Sequence, residues 1–361
     1  MSSDTSSLGA VRKATTGPAA PADTIDAPAA GPAETAAGEL PDADSPADPG
    51  RDGAEQGGAP SLDERCAAAY GYRSFEEFWE AQFETPAYQA ADFQEAILAY
   101  ADRNKYVADT DFVPLPGLGL SSMIDKVYLR SRAALISTTR SMGTAQAGVF
   151  AASTPAGKSV QEGNGTTHMS IVDKEGNVVV MTTTIESGMG SFHFTRGFLL
   201  NNQLTDFSAA PTDAQGNPIA NRVAAGKRPR SSMAPTLVFR TNTDGSRGEF
   251  RMATGSPGGA TIIQYVAKTL VGVLDWGLNA QQATSMVDFG ASNSVNTNVG
   301  SEHPNVDISN NGANDALITG LRALGHTVNT AQQSSGLATI IKRSNPAGYY
   351  YYEGGADPRR E

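Results

Sequence analysis

The chain has 361 residues and a formal net charge of −11, a length that allows two domains or one domain with a long tail. Residues 1–60 carry ten acidic and three basic side chains, so this segment holds −7 of the charge. The remainder is only mildly acidic and shows no electrostatic footprint of nucleic-acid binding. Cys66 is the only cysteine, which excludes an intrachain disulfide.

Residues 1–60 are predicted to be disordered. They contain no Phe, Trp, Tyr or Cys and are rich in Pro, Ala, Gly, Asp and Glu. Such a segment cannot bury enough apolar surface to offset the entropy lost on ordering. Its start lacks the apolar core of a signal peptide, and eighteen apolar residues nowhere run together. We therefore expect no export signal or membrane span in this sequence, and the compartment stays open.

Residues 61–165 form a second predicted region, with helices ahead of a glycine-rich linker. Ser74, with Glu77 three residues later, caps an amphipathic FEEFWEAQF helix. Helical spacing of apolar residues predicts further helices over about 93–104 and 122–135. Residues 140–165 are small, polar and glycine-rich, which is typical of a surface linker open to proteolysis or self-cleavage.

The apolar spacing changes from helical to alternating at Thr166. HMSIVD, a KEGN turn and NVVVMTTTI predict a hairpin that feeds a central strand. FLLNN, TLVFR and EFRMATGS are predicted as further short strands, and residues 262–276, 280–287 and 315–324 as helices, followed by short strands. Strands mixed with helices indicate sheets covered by helices in layers.

Residues 163–170 read GNGTTHMS, which places Thr166 directly after a glycine at the head of a strand. A threonine hydroxyl is a weak nucleophile, and one way to activate it uses the α-amino group of the same residue once that residue is an N-terminus. The ordinary pKa of this amine is about 7.7 to 8, so a useful fraction is neutral at working pH. Cleavage between Gly165 and Thr166 would create this arrangement. On its own, a threonine pair at a strand edge is more often structural, because threonine favours strands.

Five motifs occur downstream in a characteristic order: TTHMSIVDKEGN, TTTIE, GFLLNNQLTDFS, GKRPRSSMAPT and GSPGG. With them the sequence, from about Phe93 to its end, resembles the small subunit of gamma-glutamyltransferases (gamma-glutamyltranspeptidases), which cut themselves before a threonine. The resemblance implies an α+β fold, a partial four-layer αββα sandwich of the N-terminal nucleophile hydrolase type. Residues 61–165 then match the helical end of the large subunit and the linker, and 166–361 the small-subunit catalytic domain. Most of the large subunit has no counterpart in the sequence.

The resemblance also implies roles for single residues in catalysis. Thr166 is the residue that self-cleavage frees from Gly165, and it is the nucleophile that forms a gamma-glutamyl ester. Thr184 hydrogen-bonds this nucleophile. The backbone N–H groups of Gly258 and Gly259 form the oxyanion hole, whose donors stabilise the charge that develops on the tetrahedral intermediate.

Substrate contacts follow from the same resemblance, which assigns Gln203 and Asp206 to the α-ammonium group of the glutamyl moiety. A carboxylate suits a cation at hydrogen-bond distance. Glu186 stands where many members have asparagine and is assigned to the same group. Ser231 and Ser232 are assigned to the α-carboxylate. In the family, an arginine also pairs with this carboxylate. No arginine of this sequence stands in the matching context, so none is assigned to that role.

Residues 213–225 match a region that forms a lid over the substrate in some members.

Cofactors and metals are not expected. GSPGG lacks the GK[ST] ending of a nucleotide-binding loop. The histidines are scattered without metal-ligand spacing, at His168, His193, His303 and His326. His168 is expected to support its strand and not to act as a base.

Three interpretations of function stay open. The first is an enzyme that transfers a gamma-glutamyl group from glutathione or another gamma-glutamyl amide to water or an amino acid. The partners of this enzyme would be these small molecules, and the enzyme would be a heterodimer of its self-cleaved subunits. The second is an inactive truncated remnant, or a subunit that needs a separately encoded large-subunit chain. The third is a related amidase or acylase, against which Asp206 and the serine pair argue because they fit an amino-acid head group.

Overall fold

The computed structural model describes residues 7–10, 86–150, 165–331, 335–345 and 347–360. The helix predicted to begin at Ser74 lies outside these residues. Of the segment 1–60, only the strand Ser7–Ala10 (β1) is described. The predicted disorder of this segment and the three predicted regions therefore stay predictions.

After β1, the described chain has three helices, followed by groups of strands separated by two pairs of helices. The helices are Pro86–Tyr106 (α1), Leu120–Met123 (α2), Lys126–Ala133 (α3), Ile262–Leu274 (α4), Ala280–Ser285 (α5), Ser309–Gly312 (α6) and Ala316–Ala323 (α7). After β1, the strands are Thr166–Val172 (β2), Val178–Thr184 (β3), Phe194–Thr195 (β4), Phe198–Leu199 (β5), Thr236–Thr241 (β6), Arg247–Thr254 (β7), Phe289–Gly290 (β8), Asn296–Val299 (β9), Thr327–Asn329 (β10), Ala338–Ser344 (β11) and Tyr350–Ala356 (β12). None of the described helices is long and apolar enough to cross a membrane.

The helix predicted over 122–135 is divided in the structure into α2 and α3. Asp125 separates the two, because its side chain accepts hydrogen bonds from the N–H groups of Val127 and Tyr128 at 2.9 and 3.0 Å. This is the geometry of a helix N-cap, so a new helix begins at Lys126. The helix α7 starts as predicted, since Asp315 accepts a hydrogen bond from Ile318 N at 2.8 Å.

Two sheets face each other next to the start of β2. The first has the strand order β1-β3-β2, and β2 pairs antiparallel with β3 from Thr166 opposite Thr184 to Val172 opposite Val178. The second is antiparallel with the order β12-β11-β7-β6. They meet where Ser170 Oγ of β2 donates to the carbonyl oxygen of Ala338 of β11 at 2.8 Å. The predicted hairpin and its central strand, β3, are confirmed.

Helices cover the far side of the second sheet. Met252 of β7 and Ile341 of β11 are fully buried against Val273 of α4 and Ala283 of α5. A second core lies between α1, α7 and β8, and its members include Phe93, Ile97, Phe289, Ile318 and Leu321. The order of layers is thus helix, sheet and sheet, which agrees with the predicted layered α+β architecture.

Buried charges connect α4 to the end of the described chain. Lys268 Nζ lies 2.5 Å from Asp288 Oδ1, and both side chains are almost fully buried. Arg359 lies 3.3 Å from Asp288 and 2.7 Å from Glu302. Burial lowers the pKa of Lys268, and the adjacent Asp288 opposes this shift. Lys268 therefore relies on Asp288 to stay ionised in this core.

We predict that Lys268→Met destabilises the protein. The substitution removes one partner of a buried ion pair, which typically costs about 3–5 kcal/mol of unfolding free energy. Urea unfolding measures the change. Lys174→Met is the matched control, because Lys174 and Glu175 form an exposed pair for which about 1 kcal/mol or less is expected. Equal losses in the two variants would contradict the prediction.

Candidate active site

Thr166 begins β2 and is buried, with 6% of its surface exposed. Its Oγ1 donates a hydrogen bond to Oγ1 of Thr184, its cross-strand partner, at 2.9 Å. The same oxygen of Thr184 accepts the backbone N–H of Glu186 at 2.8 Å. The Thr166 hydroxyl is therefore held in one orientation, with its proton directed at Thr184.

Gly165 is held closely by the chain that follows β3. Its N–H donates to the carbonyl oxygen of Glu186 at 2.6 Å, and its carbonyl oxygen accepts the N–H of Ile185 at 3.1 Å. A Cβ at this position would lie 2.5 Å from the carbonyl oxygen of Ser187. The close approach explains why glycine precedes Thr166.

Glu186 is buried and has a left-handed backbone, with φ at 73°. Its carboxylate accepts a hydrogen bond from Ser187 Oγ at 2.8 Å. A left-handed conformation is uncommon for a residue other than glycine and is often found at functional sites. The residue that the sequence assigned to substrate binding thus adjoins the Thr166–Thr184 pair through its own backbone.

Gln203 and Asp206 lie on one 3₁₀ turn, Gln203–Asp206, and both are more than 90% buried. Nε2 of Gln203 donates to Oδ2 of Asp206. Oε1 of Gln203 is buried and has no hydrogen-bond partner in the described part of the chain. A buried carboxylate beside a buried amide acceptor suits a cationic donor such as an ammonium group.

The two predicted serines differ in their surroundings. Ser232 is 2% exposed, and its Oγ accepts a hydrogen bond from Nη2 of Arg103 in α1. Ser231 is exposed, and its Oγ accepts the N–H of Met233 at 3.1 Å. The structure therefore brings an arginine to Ser232 that the sequence analysis did not select. Arg103 lies 129 positions away from Ser232, and no local pattern links the two.

Asn221 joins the loop of Asp206 to the loop that leads to the serines. It is 1% exposed. Its Nδ2 donates to the carbonyl oxygen of Asp206 at 2.8 Å, and its Oδ1 accepts the N–H of Arg230 at 3.0 Å. Asn221 lies outside the five motifs, in the segment 213–225 that matches a lid region, so no local pattern points to this role.

Gly258 and Gly259 follow β7 in a buried loop that leads into α4. Both have positive φ, at 136° and 59°, a conformation that favours glycine. A Cβ at Gly258 would overlap the ring of Tyr265. The loop starts beside β2, since a Cβ at Gly255 would overlap the ring of His168. Backbone N–H groups at such a turn can donate hydrogen bonds to an anion.

His168 supports the hairpin, as the sequence analysis expected. Its Nδ1 lies 2.8 Å from Oγ1 of Thr182, and its Nε2 lies 3.1 Å from Oγ of Ser170. Burial lowers the pKa of His168 to about 4, so the ring is neutral at pH 7. Within the described ranges, no three His, Cys, Asp or Glu side chains form a group that could hold a metal ion.

We predict that His168 makes stability depend on pH. Its pKa is about 4 in the folded protein and about 6.5 in the unfolded chain, so the unfolded state takes up the proton first. The stabilisation is complete above pH 6.5 and is lost as the pH falls toward 4, by up to about 3 kcal/mol. Urea unfolding at several pH values should show a smaller fall for His168→Gln than for the wild type. Parallel profiles would contradict this.

A second prediction concerns Asn221→Ala. The change removes two buried hydrogen bonds and leaves the carbonyl of Asp206 and the N–H of Arg230 without them, at a cost of about 2–4 kcal/mol in unfolding free energy. Thermal or urea unfolding measures it. Asn217→Ala is the control, because the side chain of Asn217 donates to Asp213 in an exposed turn of the same segment. An equally large loss in this control would refute the bridging role of Asn221.

Comparison with known proteins gives a family match over most of the chain. The family described as "Gamma-glutamyltranspeptidase" matches residues 72–361. The "Glutathione hydrolase proenzyme" of Escherichia coli (strain K12) is 38% identical over 197 residues, which are 53% of this chain and 31% of that protein. The protein of the same name from Bacillus subtilis (strain 168) is 36% identical over 197 residues, 52% of this chain and 31% of that protein. The matched part thus spans about a third of the length of these relatives.

A solved structure agrees with the fold. Cephalosporin acylase from Bacillus halodurans aligns with a TM-score of 0.58 at 18% identity, over 76% of this chain and 44% of that chain. At this identity the likeness concerns the fold alone. The predicted fold, a partial four-layer αββα sandwich of the N-terminal nucleophile hydrolase type, is confirmed. Since the family match extends over residues 72–361 and includes all five motifs, the chain belongs to the gamma-glutamyltranspeptidase family.

Proposed function

We propose that this protein cuts its own chain between Gly165 and Thr166 and then transfers gamma-glutamyl groups from glutathione or another gamma-glutamyl amide to water or an amino acid. The observation that carries the proposal is the buried Thr166 hydroxyl, which is bonded to Thr184 at 2.9 Å directly after a closely held glycine. Relatives named glutathione hydrolase support the substrate class.

Acyl transfer would begin at the freed N-terminus of Thr166. Its α-amino group accepts the proton of Oγ1, which attacks the gamma-carbonyl carbon of the substrate. The leaving amine takes up the proton, and the gamma-glutamyl group remains as an ester on Thr166. Water or the amine of an amino acid then attacks this ester and restores the hydroxyl. The bond to Thr184 orients the nucleophile in both steps.

Recognition of the glutamyl head group would use both of its charges. The α-ammonium donates to Asp206, to the buried Oε1 of Gln203 and to Glu186. The α-carboxylate accepts from Ser231 and Ser232, and Arg103 fixes the hydroxyl of Ser232 from behind. Hydrogen bonds to charged groups contribute about 1.5–3 kcal/mol each, so this pairing favours amino-acid head groups over plain acyl chains.

Gly258 and Gly259 would stabilise the tetrahedral intermediate. Their backbone N–H groups lie in a loop whose positive φ angles only glycine adopts readily. Loss of one oxyanion donor typically lowers the rate by about 10²–10³. This loop therefore accounts for a large share of the rate acceleration in the proposed reaction.

A second candidate is a subunit that acts together with a large-subunit chain. Among the described residues, large apolar side chains near β4 and β5 are more than half exposed, namely Met189, Phe192, Phe194, Phe198 and Leu204. Apolar patches of this kind are typical of protein interfaces. In this case the site would be completed only when the partner covers this surface.

We predict that Thr166→Ala abolishes self-cleavage. Without the hydroxyl no ester can form, so the variant should stay a single band on a denaturing gel, whereas the wild type yields a fragment whose sequence begins TTHMS. Thr167→Ala is the matched control, because Thr167 is the exposed neighbour of Thr166. This variant should cleave itself normally. A variant Thr166→Ala that cleaves at the same bond would refute the proposal.

Release of a chromophore from a gamma-glutamyl anilide tests the transfer reaction. The wild type should be active and Thr166→Ala inactive; equal rates would exclude Thr166 as the nucleophile. A wild type that cleaves itself but turns over the anilide only after addition of a family large subunit would favour the second candidate.

A further inference from the structure

The carbonyl group of Gly165 is the group that self-cleavage must attack, and it already has a donor in the uncut chain. Its oxygen accepts the backbone N–H of Ile185 at 3.1 Å. The N–H of Gly165 is fixed on the carbonyl of Glu186 at 2.6 Å. The residue before the scissile bond is thus held on two sides by one short segment.

We propose that the backbone N–H of Ile185 is the oxyanion donor of self-cleavage, and that this donor is separate from the pair at Gly258 and Gly259. The inference rests on the self-cleavage in the proposed function and extends it. It assigns a catalytic group to a residue that none of the sequence motifs singled out for its chemistry.

The register of the hairpin places this donor. Thr166 pairs with Thr184, so the register continues with Gly165 opposite Ile185, and the bond from the N–H of Ile185 to the carbonyl of Gly165 is the regular one. The pairing becomes irregular at the next bond, because the N–H of Gly165 donates to the carbonyl of Glu186 instead of that of Ile185, and the N–H of Glu186 turns to Oγ1 of Thr184 at 2.8 Å. Two residues therefore oppose one, as in a β-bulge, a feature common next to active sites.

The segment of Ile185 and Glu186 thus supplies two consecutive N–H groups. The N–H of Ile185 donates to the carbonyl under attack, and the N–H of Glu186 donates to the hydroxyl oxygen of Thr184, which orients Thr166. Glu186 has φ of 73°, a conformation that costs a residue other than glycine about 1–3 kcal/mol. Residues with such backbone strain cluster at active sites.

The chemistry of the step balances as follows. Oγ1 of Thr166 forms a bond to the carbonyl carbon of Gly165, and negative charge develops on the carbonyl oxygen beside the N–H of Ile185. The hydroxyl proton ends on the nitrogen of Thr166 as the carbon–nitrogen bond breaks, which leaves an ester. Water then hydrolyses the ester to the carboxylate of Gly165 and a free amine and hydroxyl on Thr166.

Exchange of one backbone atom tests the donor directly in the full chain. Nonsense suppression with the α-hydroxy acid of isoleucine replaces the N–H of Ile185 by an ester oxygen and keeps the side chain. Self-cleavage should slow by about 10²–10³, as measured by the appearance of the fragment that begins TTHMS. The matched control is the same exchange at Leu200, whose N–H donates to the carbonyl of His193 at 2.9 Å away from the scissile bond; its rate should match the unmodified chain.

A side-chain pair gives a second test. Gly165→Ala adds a Cβ that would lie 2.5 Å from the carbonyl oxygen of Ser187, so it should displace the scissile carbonyl from Ile185 and slow self-cleavage. Gly188→Ala is the control, because nothing lies within 4 Å of a Cβ there. Melting temperatures of all four proteins show whether each is folded.

The outcomes separate this inference from the proposed function. If the unmodified chain cleaves and the Ile185 ester cleaves equally fast, the inference falls and the proposed function stands. If the Ile185 ester and Gly165→Ala are folded and slow while both controls are normal, the inference is supported. An unmodified chain that never cleaves overturns the self-cleavage and this inference together.

Discussion

The pairing of β2 with β3 is the constraint on which the site depends. It sets Thr166 opposite Thr184, and a slip of one residue would turn every side chain of β2 to the other face. His168 fixes this register from inside, because its ring bonds Thr182 across the hairpin and Ser170 along the strand. A neutral buried ring thus fixes the register that sets Thr166 opposite Thr184.

The remaining parts of the site are attached to this hairpin by contacts between distant segments. The loop of Gly258 starts against His168, and α1 reaches Ser232 through Arg103. Asn221 holds the Asp206 turn and the serine loop at a fixed separation. In the proposed function, the α-ammonium and α-carboxylate groups of the substrate are attached to one carbon atom, so the two loops that would bind them must lie close together. The buried side chain of Asn221, which bonds both loops, meets this need.

The sequence was sufficient for the parts that local pattern determines. Alternation after Thr166 predicted the β2–β3 hairpin, and Asp315 predicted the start of α7. The motifs selected Thr166 and Thr184, which the structure brings into hydrogen-bond contact. Arg103 and Asn221 were missed because their importance arises only from tertiary contacts. Apolar spacing over 122–135 does not show the division into two helices, because the division depends on the Asp125 side chain that caps the second helix.

The segment 213–225 has an exposed part and a buried part. Asp213 and Asn217 close an exposed turn, whereas Ile219 and Asn221 are buried. Lengthening a surface turn costs little loop-closure entropy. A longer turn at 213–217 would therefore leave the buried residues that follow it in place. The turn can thus vary in length and sequence while Asn221 and the loop of Asp206 that it bonds keep their positions.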